Sequence, residues 1–178
     1  MGWFGFGHAQ ETKKREADLT LLAPMSGSLV MIEDVPDVIF SEKIVGDGIA
    51  IKPTDNKVLA PCDATVVEVF ETNHAIVLKS NPLELLIFIH IGIDTVDLKG
   101  KGFFRKVQAG DNVHAGDVLL EFNLNMLQSK AKSTITPLLI SASHMNRVKN
   151  LELLFSSSNC QAGVTPLLGI DIKSGEDA

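Results

Sequence analysis

Two of the five histidines stand where they can meet: His74 and His90. The apolar runs on either side of Asn81-Pro82 read as the arms of an antiparallel hairpin. Centring that hairpin near Pro82 pairs Leu78 with Leu86, Ile76 with Phe88, and His74 with His90. Side chains alternate between faces along a strand, so His74, Ile76 and Leu78 share one face, as do Leu86, Phe88 and His90. That face carries two apolar pairs and, at its open end, two imidazoles. Directly opposed residues have Cβ atoms roughly 5 Å apart. A two-residue slip keeps the rings in reach, whereas a one-residue slip turns them to opposite faces.

A neutral imidazole has one lone-pair nitrogen and is a good nucleophile near neutral pH. It can attack phosphorus in line and hold a phosphoryl group as a labile phosphoramidate. A second imidazole beside it can donate an N–H to the phosphoryl oxygens, where charge develops. Such a pair needs little else, because phosphoryl transfer rests mainly on positioning and electrostatics. Two imidazoles at this spacing are equally half a zinc site. They also suit a polar cross-strand pair closing the end of a sheet, and the spacing leaves the three readings open. His8 in a glycine-spaced arm, His114 in a turn and His144 near a helix start are expected to be solvated.

The elements that would carry the pair are mostly β. Short apolar runs recur at Leu19–Ala23, Ser28–Ile32, Gly48–Ile51, Thr65–Phe70, Ala75–Lys79, Glu84–Ile91, Val118–Phe122, Pro137–Ser141 and Leu167–Ile172. Turn signals separate them, such as Gly46-Asp47-Gly48 and Gly100-Lys101-Gly102. Many short strands at such spacing predict an all-β fold, a compact antiparallel sandwich with a few short helices. Two helices are expected, Leu124–Lys132 capped by Asn123 and Met145–Leu154 with Ser143 as its cap. Leu22-Ala23-Pro24-Met25-Ser26-Gly27 is echoed by Leu59-Ala60-Pro61-Cys62-Asp63-Ala64, which points to two related halves. Ala109-Gly110-Asp111 recurs as Ala115-Gly116-Asp117, a pair of tight turns at the rim of a sheet.

Composition sets the outer bounds. The chain has 178 residues, 45% hydrophobic and 21% charged, which is a globular composition. Its formal net charge of −6 disfavours nucleic acid as a partner. Cys62 and Cys160 sit among apolar or small neighbours and read as buried free thiols. No signal peptide is visible before Leu19, and no run reaches the length of a membrane span, so a cytoplasmic location is expected. Residues 1–18 read as a flexible arm, 19–173 as the domain and 174–178 as a disordered tail. In the arm, Trp3, Phe4 and Phe6 precede Lys13, Lys14 and Arg15, which suits weak association with a membrane surface.

Apolar ground surrounds the histidine pair. Leu86 to Ile91 is apolar apart from His90. Val38, Ile39, Phe40, Ile44 and Val45 form a second cluster beside Glu33, Asp34 and Asp37. An apolar patch with an acidic rim suits a basic partner protein, and it suits ordinary core as well.

Several segments, in order, resemble the glucose-type enzyme IIA family of the bacterial phosphoenolpyruvate:sugar phosphotransferase system. They are Ile32-Glu33-Asp34-Val35-Pro36-Asp37-Val38, the stretch from Glu42 to Pro53, Phe70-Glu71-Thr72-Asn73-His74-Ala75, His90-Ile91-Gly92-Ile93-Asp94-Thr95-Val96 and Lys130-Ala131-Lys132-Ser133-Thr134. The resemblance runs from about Leu19 to Ile172. It implies a duplicated-hybrid, jelly-roll-like β-sandwich phosphorylated on one histidine, with no cofactor required. By resemblance His90 is the phosphoacceptor, His74 the second active-site histidine and Thr72 the hydroxyl that orients it. Asp37 and Asp94 are the acids that meet the donor, the histidine phosphocarrier protein. Val38, Phe40, Ile44, Val45, Phe70, Phe88 and Val96 form the docking face. The acceptor is then the IIB domain of a sugar permease. Resemblance to the enteric branch adds binding of permeases and glycerol kinase by the unphosphorylated protein and action of the phosphorylated form on adenylate cyclase. Resemblance to the family implies a zinc ion that His74 and His90 could share with a partner.

Two other classes compete. Ala23-Pro24-Met25-Ser26-Gly27 is similar in style to biotinyl- and lipoyl-type carriers, but the Met-Lys-Met hairpin is missing. A zinc hydrolase on a related β fold would need a third ligand and a His-x-His pair, and this chain has no His-x-His.

Overall fold

The computed structural model describes residues 15–175. Its strands are β1 (Leu19–Leu22), β2 (Gly27–Met31), β3 (Gly46–Pro53), β4 (Lys57–Leu59), β5 (Ala64–Val69), β6 (Ala75–Ser80) and β7 (Leu86–His90). They continue as β8 (Phe103–Arg105), β9 (Asn112–Val113), β10 (Val118–Phe122), β11 (Thr136–Ser141), β12 (Val148–Leu153), β13 (Asn159–Cys160) and β14 (Pro166–Ile172). Two short helices join them, α1 (Val38–Ser41) and α2 (Leu124–Lys130). The strand pairs are all antiparallel and form an eight-stranded sheet, β13-β2-β3-β11-β7-β6-β5-β9, and two three-stranded sheets, β1-β14-β12 and β4-β10-β8. This is the all-β sandwich expected, carrying few helices.

The large sheet reads the same from either end, and the sequence echo explains why. Leu22 N–H donates to Pro61 O at 2.9 Å, and Leu59 N–H returns the bond to Pro24 O at 2.7 Å. Gly163 N–H meets Ala23 O at 2.8 Å, as Gly116 N–H meets Ala60 O at 2.9 Å. Ala162 N–H reaches Ser26 Oγ, as Ala115 N–H reaches Asp63 Oδ1, both at 2.9 Å. The halves are thus related by an approximate two-fold axis through the central pair of β11 and β7, where Leu138 faces Ile89. The repeated Ala-Gly-Asp turns also match. Asp111 accepts from Gln108 N–H at 2.9 Å and Asp117 from His114 N–H at 2.8 Å.

Alternation sorts the central strands into two clusters. Ile49, Ile51, Ile87, Ile89, Leu138 and Ile140 face the main core between the sheets. Ala50 and Leu139 face outward, where Ile32, Val35, Phe40 and Ile93 bury them, with Phe88 partly buried alongside. The outer cluster exists because the link from β2 to β3 is long and folds back over the sheet. Asp37 caps α1 by accepting the Ile39 N–H at 3.0 Å. Lys43 ties this link down through Glu33 at 3.0 Å and Asp47 at 3.3 Å.

Gly48 is required by close approach. A Cβ there would lie 2.1 Å from Leu138 O on β11. Gly48→Ala is expected to cost roughly 1–3 kcal/mol as the strands spread. Differential scanning calorimetry should show a Tm lower by roughly 2–12 °C, and an unchanged Tm would contradict the close approach.

One expected element is replaced. Met145–Leu154 is not a helix: a 3-10 turn over Ala142–Arg147 leads into β12, which pairs with β14. Val148, Leu151 and Leu153 pack against the main core from an extended chain, so burial against β14 overrides a helical reading of the segment. The other helix holds, ending at Lys130, with Asn123 Oδ1 accepting Met126 N–H at 3.0 Å. Both cysteines are buried free thiols, and burial pushes that of Cys62 up to about 12, so it is inert.

Candidate functional site

β7 delivers His90 at its last position, on the outer face with Leu86 and Phe88. The hairpin register differs by one residue from the expected one. Ala75, not His74, pairs with His90, Val77 pairs with Phe88 and Lys79 with Leu86. The loop is the reason. Ser80 and Leu85 close it through Ser80 N–H to Leu85 O at 2.9 Å and Leu85 N–H to Ser80 Oγ at 3.0 Å, which moves the centre off Pro82. The two histidines still meet, with ring centroids 5.0 Å apart and planes at 78°. His74 lies at a bend just before β6, after Asn73 at φ 57, so strict alternation does not govern it.

Both Nδ1 atoms are engaged. His90 Nδ1 lies 2.7 Å from Gly92 O. A carbonyl only accepts, so Nδ1 carries the proton and the lone pair of neutral His90 is on Nε2. Thr72 Oγ1 lies 2.6 Å from His74 Nδ1, a contact in which either group can donate. The free nitrogen of each ring is therefore Nε2. The carbonyl that fixes His90 is itself fixed. Gly92 sits at φ +70, its N–H donates to Thr136 Oγ1 at 3.2 Å, and Thr95 Oγ1 donates to Ile91 O at 2.6 Å. A Cβ at Gly92 would meet Ser133 O at 2.9 Å. Thr95, Thr136 and Ser133 were not singled out by the sequence reading. The glycine after Ile91 was the available signal.

Burial lowers the proton affinity of both rings. His74 is driven down to about 4 by desolvation and then by the neighbouring His90. His90 is lowered by desolvation as well. The Gly92 carbonyl and the charges of Asp37 and Asp94 oppose that shift. Both rings are thus neutral at neutral pH, which keeps the His90 Nε2 lone pair available.

A stability prediction follows from the sign. The unfolded chain takes up a proton near its ordinary histidine pKa of about 6.5, while folded His74 resists protonation down to about 4. Stability from this group is intact above about pH 6.5 and falls as pH drops towards about 4, by up to roughly 3 kcal/mol. Urea midpoints measured across that range should fall less steeply in His74→Gln. Parallel curves would contradict the buried neutral ring.

Around the pair lies an apolar surface. Val38 is 56%, Ile44 57%, Val96 49% and Ile39 39% exposed. Phe70 and Phe88 are half-buried, their rings 6.0 Å apart, with Phe70 against His74 and Phe88 against His90. Val45 is half-buried in the outer cluster. Phe40 departs from its expected place on the face. It is 1% exposed, with its ring 5.2 Å from that of His90, so it supports the histidine from beneath. The α1 segment buries one side chain per turn, and Phe40 is the one turned inward. Asp37 and Asp94 flank the surface, Asp94 exposed and at φ 58.

The other histidines separate from the site. His114 is exposed, 3.6 Å from Asp63. His144 departs from the solvated expectation: it is half-buried, and its Nδ1 accepts Leu86 N–H at 3.0 Å. His8 lies outside the described residues, as do Trp3, Phe4, Phe6, Lys13 and Lys14 of the expected membrane-seeking arm. Among the described residues no helix is long and apolar enough to cross a membrane. Nor do they contain a group of three or more His, Cys, Asp or Glu side chains placed to hold a metal ion.

Comparison with known proteins gives the same direction. The family model of the phosphoenolpyruvate-dependent sugar phosphotransferase system, EIIA 1, matches residues 19–145. The chain is 50% identical over 129 residues to the glucose-specific EIIA component of the PTS system of Haemophilus influenzae, covering 72% of this chain and 77% of that protein. It is 41% identical over 151 residues to the glucose-specific EIIA component of Oceanobacillus iheyensis, covering 83% and 90%. A solved structure of glucose permease IIA from Mycoplasma capricolum superposes with a TM-score of 0.75 at 31% identity, over 84% of this chain and 94% of that one. With two facing imidazoles on a duplicated β-sandwich and this breadth of similarity, the chain belongs to the EIIA 1 family of the phosphoenolpyruvate-dependent sugar phosphotransferase system.

Proposed function

We propose that the chain is a glucose-type phosphoryl carrier that takes a phosphoryl group on Nε2 of His90 from the histidine phosphocarrier protein. The observation that carries this reading is the facing histidine pair, with both Nδ1 atoms occupied and both Nε2 atoms free. In the transfer, the His90 Nε2 lone pair forms the new N–P bond. The N–P bond of the donor phosphohistidine breaks, and its electron pair returns to the donor imidazole. The His90 ring then bears positive charge. The Gly92 carbonyl at Nδ1 and the carboxylates of Asp37 and Asp94 offset that charge. His74 donates its Nε2–H to a phosphoryl oxygen when the Thr72 hydroxyl donates into Nδ1. The apolar ground of Val38, Ile44 and Val96 excludes water from the labile bond once a partner is docked over it.

Onward transfer goes to the IIB domain of a sugar permease. A relative from Klebsiella pneumoniae, the N-acetylglucosamine-specific EIICBA component, is 45% identical over 151 residues and carries such domains in one chain by its name. The names of the free-standing relatives favour glucose as the sugar served. A phosphoryl group adds close to two negative charges at the docking face. That suits phosphorylation-dependent binding to permeases, glycerol kinase and adenylate cyclase in the cytoplasm. The two Nε2 atoms also provide half of a tetrahedral zinc set, which a partner's ligands would complete.

The test is to mix the chain with phosphoenolpyruvate, enzyme I and the phosphocarrier, and to read intact mass. Gain of one acid-labile phosphoryl group, lost again on adding a IIB domain, is the expected result. No gain would overturn the proposal.

A further inference from the structure

We infer that Asn73 is a positioning residue for this transfer, its left-handed backbone setting the His74 ring against His90. The inference rests on the reading of the histidine pair given above. The turn from β5 to β6 is closed by Asn73 N–H to Phe70 O at 2.7 Å and by Phe70 N–H to Ala75 O at 3.0 Å. Asn73 sits within it at φ 57. Beyond the turn the ladder to β7 is already running, since Ala75 pairs with His90 and His74 O accepts Ile91 N–H at 2.8 Å. An unbroken strand would turn the His74 side chain to the face of Ile91, which is fully buried in the main core. Its ring instead lies 5.0 Å from that of His90 and 5.5 Å from that of Phe70. The left-handed residue is the interruption immediately before it. Turning the chain there releases His74 from the alternation and brings Thr72 within 2.6 Å of Nδ1.

Asparagine is among the few residues with a side chain that adopt this conformation readily. Asn73 Oδ1 is buried and has no hydrogen-bond partner among the described residues, so the role assigned here rests on the backbone conformation at this position.

The test compares Asn73→Gly and Asn73→Ala in the full chain, with acceptance from the phosphocarrier and onward transfer to a IIB domain timed separately. Glycine keeps the left-handed conformation, so both steps should stay within about twofold of the parent. Alanine lacks that tolerance. It should accept at nearly the parental rate and pass the group on roughly tenfold more slowly. The imidazole titration of His74, followed by NMR, should move up from about 4 in Asn73→Ala, as the ring leaves its buried place beside His90, and stay in Asn73→Gly. Equal loss on both steps in Asn73→Ala, parental transfer in that variant, or a glycine variant as impaired as alanine would each overturn the inference. If the parent chain takes up no phosphoryl group, the carrier reading fails instead. The NMR titration then still decides whether Asn73 places the ring.

Discussion

His90→Ala is expected to take up no phosphoryl group, with acceptance reduced at least about a thousandfold. The substitution removes the Nε2 lone pair that the Gly92 carbonyl has oriented. The remaining imidazole at the site does not take its place, because His74 is 6% exposed and its Nε2 carries the proton when the Thr72 hydroxyl donates into Nδ1. His90 is half-buried on the outer face and outside the main core, so the variant should fold. Circular dichroism and the thermal midpoint report on that independently. Intact mass after incubation with phosphoenolpyruvate, enzyme I and the phosphocarrier is the measurement. A folded His90→Ala that still gains an acid-labile group would move the acceptor elsewhere, with His74 the first position to map.

His74→Gln divides the two halves of the cycle. Acceptance should remain within a few-fold of the parent, since the His90 tautomer, its Gly92 bond and the nearby Asp37 and Asp94 are untouched. Onward transfer should fall by roughly a hundredfold or more. An amide can still donate an N–H, but it cannot exchange protonation between two ring nitrogens in step with the Thr72 hydroxyl. The phosphoryl group would then be stranded on His90. Quenched-flow transfer to a purified IIB domain measures the effect, and a rate within twofold of the parent would remove His74 from the mechanism. Because glutamine is uncharged at every pH, this variant also serves the denaturation comparison above.

How far the sequence led depended on how local the controlling physics was. The strand runs, the Asn123 cap and the duplicated Ala-Pro segments were legible because each is written within a few residues. The hairpin register was not. It turns on a bond between the Ser80 hydroxyl and Leu85 N–H inside the loop, which the hydrophobic pattern does not encode. The expected pairing of His74 with His90 was off by one residue, yet the two rings do meet. The strand rule that would have separated them stops applying at Asn73. Phe40 was placed on the docking face by the resemblance, since the residues Val38, Ile39 and Phe40 look alike and leave surface and core open. Which of them turns inward depends on α1 lying over Leu139 and Ala50, a long-range fact. The roles of Thr95 and Thr136 were hidden for a different reason: they help to aim the Gly92 carbonyl, and no spacing reports that.

The two-fold relation between the halves carries a consequence for capacity. The axis that maps Ile89 onto Leu138 carries His90 onto Leu139, on the same outer face. A faithful duplicate would offer two berths side by side. Leu139 is fully buried instead, roofed by the segment between β2 and β3, and the Phe40 of that segment also touches His90. The corresponding link between β5 and β6 is a tight turn that leaves its own side of the sheet open. The one long link therefore closes the second berth and builds a wall of the first. On the carrier reading, a single berth makes donor and acceptor take turns, so that occupancy by one partner is itself a signal to every other.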